Sequence, residues 1–124
     1  MFSTKVIKYG FGEDQLFFSK LTRIGQKIKW HNNKVYEYVN KDRQNLIWFL
    51  KRNYFYGLTG YLIEKELHGN YYGIIINLIK SFAYLLRIII DLPFALLHPK
   101  KYLLLSTSNF LRFFGRIVGL KNIV

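Results

Sequence analysis

The chain has 124 residues and a formal net charge of +12, because 19 Lys and Arg residues outnumber 7 Asp and Glu residues. Apolar residues make up 51% of it and aromatic residues 19%, a content that excludes a disordered basic tail. Cysteine is absent, which excludes disulfide scaffolds, zinc–cysteine sites, iron–sulfur clusters and cysteine nucleophiles.

Charge and hydrophobicity are unevenly distributed along the chain. Residues 1–68 contain 12 basic and 6 acidic side chains, whereas residues 69–124 contain 7 basic and 1 acidic within an apolar stretch. A basic, strongly apolar segment is typical of a membrane surface rather than of nucleic-acid binding. The first residues lack the apolar run of a signal peptide. We therefore expect membrane association on the cytoplasmic face of the inner membrane.

The first predicted element is a helix of about three turns that follows the sequence YGFG. Glu13 and Asp14 occupy its first turn, where carboxylates favour the helix macrodipole. Gly25 is placed to end the helix. Residues 26–39, QKIKWHNNKVYEYV, then alternate apolar and polar side chains around the turn residues HNN, which predicts two short strands in a small β-hairpin.

A second helix is predicted from a cap at Asn40 or Asp42. It carries apolar residues at helical spacing, with a break expected near Gly57 or Gly60 and an end at Gly69. Together with the hairpin, this predicts an α+β fold that is mostly helical.

A long hydrophobic stretch covers residues 71–98, and Pro93 and Pro99 are expected to end its helix. Twelve Ile, Leu and Phe residues in 74–92 favour insertion by roughly 6 kcal/mol, and the polar residues cost about as much. The sum favours a helix lying in the interface, or half-buried against another apolar helix, over an isolated span. The polar residues form one narrow stripe, which consists of Asn77, Lys80, Tyr84, Arg87 and Asp91.

The C-terminal tail has the sequence STSNFLRFFGRIVGLKN, which predicts a basic amphipathic helix. Ser108 is its predicted cap, and Arg112 and Arg116 lie on its polar side. Such a helix lies on anionic lipid, or alternatively in the core of a larger protein. Lys80 and Arg87, together with the two tail arginines, are the residues that we expect at the membrane.

The acidic pair that opens the first helix is the sequence feature closest to a catalytic motif. An ionised carboxylate at a loop–helix junction can act as a general base toward a hydroxyl, although acids in a first turn also serve only the helix dipole. Glu64 and His68 have i, i+4 spacing without the second His of a zinc protease, which indicates an ion pair.

Several segments resemble the C-terminal part of family 2 glycosyltransferases of the GT-A type, in the non-processive, polysaccharide-building branch. These are GEDQLFFSKLTRIGQKIKW, then VYEYV and RQNLIWFLKRNYFYG, and finally FFGRIVGL. The similarity covers approximately residues 9–120 and is strongest over 9–57. The Gln-x-x-Arg-Trp motif of the processive enzymes is not present.

The resemblance implies roles for four residues. Asp14 would be the general base that takes the proton of an acceptor hydroxyl as it attacks a nucleotide sugar with inversion, and Glu13 would support the acceptor site. Arg43 and Trp48 would lie near the diphosphate and the acceptor sugar. Arginine neutralises phosphate charge and tryptophan stacks on sugar rings, so these residue types suit the roles.

The same resemblance implies a donor half that the sequence does not contain. GT-A enzymes hold a divalent metal, Mg or Mn, with an Asp-x-Asp in an N-terminal α/β half, and no Asp-x-Asp occurs here. We therefore expect residues 1–69 to form the acceptor-side portion and residues 70–124 a membrane-associated helical region. A truncated or split reading frame, or a subunit that needs a donor-binding partner, would be inactive alone.

Two alternatives remain open. One is a small non-enzymatic membrane-surface protein built on two basic amphipathic helices, and the other is a nucleic-acid binder that uses the net charge and the interleaved aromatic residues. The membrane lipid surface is the expected partner of the isolated chain, and nucleic acid is not. A nucleotide sugar and a glycan or lipid-linked acceptor are expected only with a donor-binding half.

Overall fold

A computed structural model describes residues 12–121 as a helical protein. Helix α1 covers Glu13–Arg23, a 3₁₀ turn covers Lys41–Arg43, helix α2 covers Leu46–Phe94 and helix α3 covers Pro99–Lys121. Within this part of the chain there is no β-strand.

The predicted hairpin at 26–39, and with it the α+β class, is wrong. Residues 26–40 have no regular secondary structure, and every side chain between residues 22 and 40 is exposed, with Trp30 at 94%. Alternation of apolar and polar residues stabilises a hairpin only when one face packs on something, because two isolated strands are marginal in water. Nothing in residues 12–121 covers this segment.

Helix α2 is a helical hairpin, and its turn is at Gly69. This glycine has φ 80° and ψ 178°, a conformation that only glycine adopts readily, and helical geometry resumes directly after it. The second arm (70–94) folds back on the first arm (46–68), since Lys80 Nζ lies 2.5 Å from Glu64 Oε1. The break predicted at Gly57 or Gly60 is wrong, because the first arm runs through both.

Helix α3 packs along both arms of α2, which accounts for most contacts between elements. It begins at Pro99, whose fixed φ suits the first turn of a helix. Ser108 is therefore an internal residue and not the predicted cap, and its hydroxyl donates to the Leu104 carbonyl at 2.8 Å. The cap of α2 also differs from the prediction: the Asn45 side chain accepts the Trp48 N–H at 2.7 Å.

Helix α1 lies beside the first arm of α2. Leu16 is buried against Leu62 and Ile63, and Lys20 Nζ lies 2.7 Å from Glu66 Oε1. The helix ends before Gly25, which has φ +84°. The N–H of Gly25 and that of the next residue bond back to the last turn, a Schellman end that agrees with the stop predicted there.

The bundle buries polar residues and exposes large apolar ones. By length and composition α2 can cross a membrane, and 17% of its apolar window is buried. Soluble bundles show the opposite distribution, whereas helices in lipid turn small and polar residues toward one another. The buried polar residues are Asn53, Thr59, Glu64, Asn77, Ser81, Asp91, Ser108 and Arg116. Outward-facing apolar residues of the second arm include Ile75, Leu78, Ile79, Phe82, Leu86, Ile89 and Ile90.

Candidate functional site

One cavity of about 730 Å³ brings together the acidic pair and the basic and aromatic residues that the sequence places far apart. Its walls come from the start of α1, the extended segment before the 3₁₀ turn, that turn, and the first turns of α2. The lining residues are Gly12, Glu13, Asp14, Glu37, Val39, Arg43, Trp48, Arg52 and Tyr56.

The start of α1 forms the acidic wall. Gly12 has φ +87°, and a Cβ there would lie 2.9 Å from Ile63 Cδ1, so glycine allows the chain to enter α1 directly against α2. No side chain caps this helix. Glu13 is half-buried, and the exposed Asp14 accepts the Gln15 N–H at 2.8 Å. Both carboxylates thus lie in the first turn of α1, at the positive end of the helix dipole.

The basic and aromatic wall comes from the 3₁₀ turn and α2. Arg43 is in the 3₁₀ turn and Trp48 is in the first turn of α2, so the two are not on one helix, as a helix starting at the predicted cap, Asn40 or Asp42, would have placed them. Arg52 Cζ lies 5.0 Å from the centroid of the Trp48 ring and 5.2 Å from that of Tyr56. Its Nη2 also donates to Tyr56 Oη at 2.8 Å, which orients the guanidinium.

Sequence reasoning missed Arg52, Tyr56 and Glu37 as lining residues. A signal for two of them exists: Trp48, Arg52 and Tyr56 follow at i, i+4 spacing, which places them on one helix face. Glu37 lies in the segment predicted as a strand, and its position at the cavity depends on the course of the chain between α1 and α2.

A second cavity of about 360 Å³ adjoins the first and shares Asp14 and Tyr56 with it. Tyr84 and the two tail arginines form its far side. The acidic wall of the larger cavity is thus also a wall of a smaller cavity among the helices of the bundle. The lining residues are Asp14, Gln15, Tyr56, Tyr84, Arg112 and Arg116.

The four basic residues expected at the membrane occupy different environments. Arg116 is 5% exposed and its Nη1 donates to Asn77 Oδ1 at 2.8 Å. Arg112 is half-buried and bonds the Asn53 amide. These two arginines point into the bundle.

The other two of these basic residues keep more exposed side chains, each beside a carboxylate. Lys80 lies 2.5 Å from Glu64, and the Arg87 side chain is 60% exposed and lies 3.1 Å from Asp91. The Arg87–Asp91 pair is the i, i+4 pair that the sequence suggests. The predicted Glu64–His68 pair also forms, at 3.8 Å, but its carboxylate is buried.

The His, Asp and Glu residues of the described part of the chain, 12–121, are not gathered into a metal site. No group of three or more His, Asp or Glu residues there is arranged to hold a metal ion. The carboxylates at the larger cavity therefore do not fit the divalent metal of a GT-A donor site.

Comparisons with family models, with curated proteins and with solved structures found no match.

Proposed function

We propose that this chain is the acceptor-side and membrane-anchoring part of an inverting, nucleotide-sugar-dependent glycosyltransferase that acts in polysaccharide biosynthesis. The observation that carries the proposal is the larger cavity. It gathers the four residues to which the resemblance gives roles, Glu13, Asp14, Arg43 and Trp48, from separate elements.

The proposed step places Asp14 as the base. Its carboxylate takes the proton of an acceptor hydroxyl while that oxygen attacks the anomeric carbon of the donor sugar. A new C–O bond forms with inversion, the bond from the anomeric carbon to the diphosphate breaks, and the nucleoside diphosphate leaves. Glu13 holds the acceptor by accepting a hydrogen bond from a second hydroxyl.

Arg43 and Arg52 line the same cavity as the acids and supply positive charge for the leaving diphosphate, which gains negative charge. Arg52 is already oriented by its two aromatic neighbours. Trp48 offers a ring face on which a sugar can stack.

In this proposal the donor is bound by a separate half. A divalent metal bound there would offset the charge of the diphosphate. The chain in hand supplies the base, the acceptor contacts and the basic wall. It is therefore expected to be inactive without that half.

We also propose that the second arm of α2 and α3 lie along the membrane surface, on the cytoplasmic face of the inner membrane. Tyr84 lies near the middle of the second arm, yet it lines a cavity with the exposed Asp14. A helix that crossed the bilayer would place its middle in hydrocarbon. An in-plane helix instead keeps the cavity in contact with water and buries the outward apolar face in lipid.

The decisive experiment supplies the donor half. An α/β sequence with an Asp-x-Asp is sought next to the gene of this chain, and the two products are expressed together in membranes. Asp14→Asn should then lower sugar transfer by at least about 100-fold, because a positioned general base contributes that much. Asp42→Asn, which removes an exposed carboxylate beside Arg43, is the matched control and should leave transfer unchanged.

Transfer that persists in Asp14→Asn would show that the base is wrongly assigned. A chain that binds membranes but gives no transfer with any neighbouring α/β product would favour the non-enzymatic membrane-surface protein.

A further inference from the structure

Two arginines line the smaller cavity, and not all of their N–H groups donate hydrogen bonds within the described residues. Arg112 and Arg116 lie one turn apart on α3 and both line it. Arg116 Nε is buried and has no hydrogen-bond partner among residues 12–121, and the residue as a whole is 5% exposed. A buried guanidinium N–H without a partner is costly, so the described residues do not fully satisfy the Arg116 side chain.

Both guanidinium groups are oriented mainly by neutral groups. Arg112 Nε donates to Asn53 Oδ1 at 2.8 Å, and Arg116 Nη1 donates to Asn77 Oδ1 at 2.8 Å. An amide oxygen orients a guanidinium without neutralising it. Glu64 lies 3.9 Å from Arg116, but Lys80 is closer to that carboxylate, at 2.5 Å. Arg116 thus shares its carboxylate with Lys80, and Arg112 has no carboxylate partner among residues 12–121, so the two arginines together keep positive charge for an anion.

The position of the two arginines in the fold indicates which class of anion they bind. Asp14 lines both cavities, so an anion on the arginines lies next to the proposed base. The cavity is walled by α3 and by Tyr84 of the second arm, whose opposite face is apolar and exposed. A ligand that joins an anionic group to an apolar chain suits both surroundings.

We infer that Arg112 and Arg116 bind the phosphate or diphosphate through which the acceptor sugar is attached to a lipid. This inference rests on the proposed function and names its acceptor class. The sugar next to the phosphate then extends into the larger cavity, where its hydroxyl meets Asp14. Two guanidinium groups on one phosphate or diphosphate give the charge-assisted bonds that arginine forms best.

Binding to the full chain in a neutral detergent tests the inference without a donor half. The probes are geranyl diphosphate, inorganic pyrophosphate and uridine diphosphate, titrated by calorimetry. Geranyl diphosphate should bind most tightly. Arg112→Gln and Arg116→Gln should each weaken its binding by about tenfold or more, as expected for one lost charged hydrogen bond. Lys100→Gln removes one charge from the exposed start of α3 and should change nothing.

Equal binding of geranyl diphosphate to Arg112→Gln and to the unaltered chain would overturn the inference. If uridine diphosphate binds as tightly as geranyl diphosphate and through the same arginines, the site belongs to the donor nucleotide, and the inference of a lipid-linked acceptor is wrong. Arg112 is half-buried, so its variant decides the matter if Arg116→Gln does not fold.

The two proposals fail separately. Asp14→Asn should abolish transfer but should not weaken diphosphate binding, because it removes a negative charge, and no donor, from the wall that the two cavities share. If geranyl diphosphate binding depends on the two arginines but this chain and the donor half together transfer no sugar, the anion site stands and the proposed enzyme is refuted. If transfer depends on Asp14 but Arg112→Gln binds geranyl diphosphate as tightly as the unaltered chain, the proposed enzyme stands and the anion site is refuted.

Discussion

The Glu64 carboxyl group lies inside the helix bundle, where its side chain is 4% exposed. Lys80 lies 2.5 Å from it, His68 3.8 Å and Arg116 3.9 Å, so one carboxylate is shared among side chains of both arms and of α3. Removing one partner of a buried ion pair costs more than the pair itself contributes, because the remaining charge is left uncompensated.

We therefore predict that Glu64→Gln lowers the free energy of unfolding by about 1–3 kcal/mol, because it removes the carboxylate beside the buried Arg116 and breaks the contact with the half-exposed Lys80. Glu66→Gln is the matched control, two residues away on the same helix. Its carboxylate is 31% exposed and pairs with Lys20 on the surface, so it should cost about 0–1 kcal/mol. Chemical unfolding in detergent measures both variants, and equal losses would mean that the buried cluster is not stabilising.

Sequence alone finds cavity residues that a local feature marks, and it misses those that only packing brings to the two cavities. Glu13 and Asp14 are recognisable because a helix start is a local feature. Arg112 and Arg116 look like the polar face of a surface helix, and nothing local shows that Asn53 and Asn77 receive them inside the bundle. Periodicity identifies an amphipathic face but does not say which face turns inward.

At the scale of elements, glycine residues set the distance between α3 and the first arm. A Cβ on Gly115 would overlap the backbone carbonyl of Tyr54, and one on Gly57 would overlap the backbone of Arg112. Gly119 continues the series one turn later against Leu58. The two backbones can approach this closely only because these side chains are absent, as in small-xxx-small helix pairs of membranes.

Gly115→Ala should therefore destabilise the bundle. The overlap is with backbone, which cannot turn aside, so overpacking of about 1–3 kcal/mol or more should exceed the gain of about 1 kcal/mol in helix propensity. Gly60→Ala is the control, because its Cβ would meet the end of the Arg116 side chain, 2.8 Å away, and side chains adjust more easily. Thermal unfolding compares the two, and a Gly115→Ala chain that melts higher than Gly60→Ala would contradict this packing.

The helix boundaries show why some elements were predicted and others were not. Gly25 ends α1 by a local conformation, which sequence reveals directly. The prediction for 26–39 failed because an amphipathic strand needs a surface to cover, and residues 12–121 provide none. Gly69 was expected to end a helix; its left-handed φ does so, and the chain then continues as a second arm that packs on the first.

At the scale of the whole molecule, the second arm and α3 turn polar residues inward and apolar residues outward, a distribution that fits the proposed position on a membrane surface. Asn77, Ser81 and Asp91 are buried on the inner side of the second arm. The polar stripe that makes an isolated span unfavourable is thus largely satisfied by packing: Asp91 receives Arg87 and Asn109, and Asn77 receives Arg116. What remains outside is an apolar face without a protein partner in the described residues.

Depth measurements distinguish an in-plane second arm from one that crosses the bilayer. The chain has no cysteine, so Ile75→Cys, Phe82→Cys and Ile89→Cys each give one labelling site on the outward face. These positions rise along the helix by about 10 Å per step. Fluorescent labels quenched by lipids spin-labelled at two depths should report one common, shallow depth if the arm lies in the interface.

If the second arm lies in the plane of the membrane, the labels at residues 75, 82 and 89 must have the same depth, because the three residues share one helix face and that face rests on one lipid layer. A label at Trp30→Cys, on the exposed segment between α1 and α2, should remain in water and serves as the reference. Depths that change steadily from residue 75 to residue 89, by up to about 20 Å, would show a crossing helix. The smaller cavity would then lie within the hydrocarbon, where Asp14 could not be solvated and could not act as the base. The same depth data therefore also test the proposed chemistry.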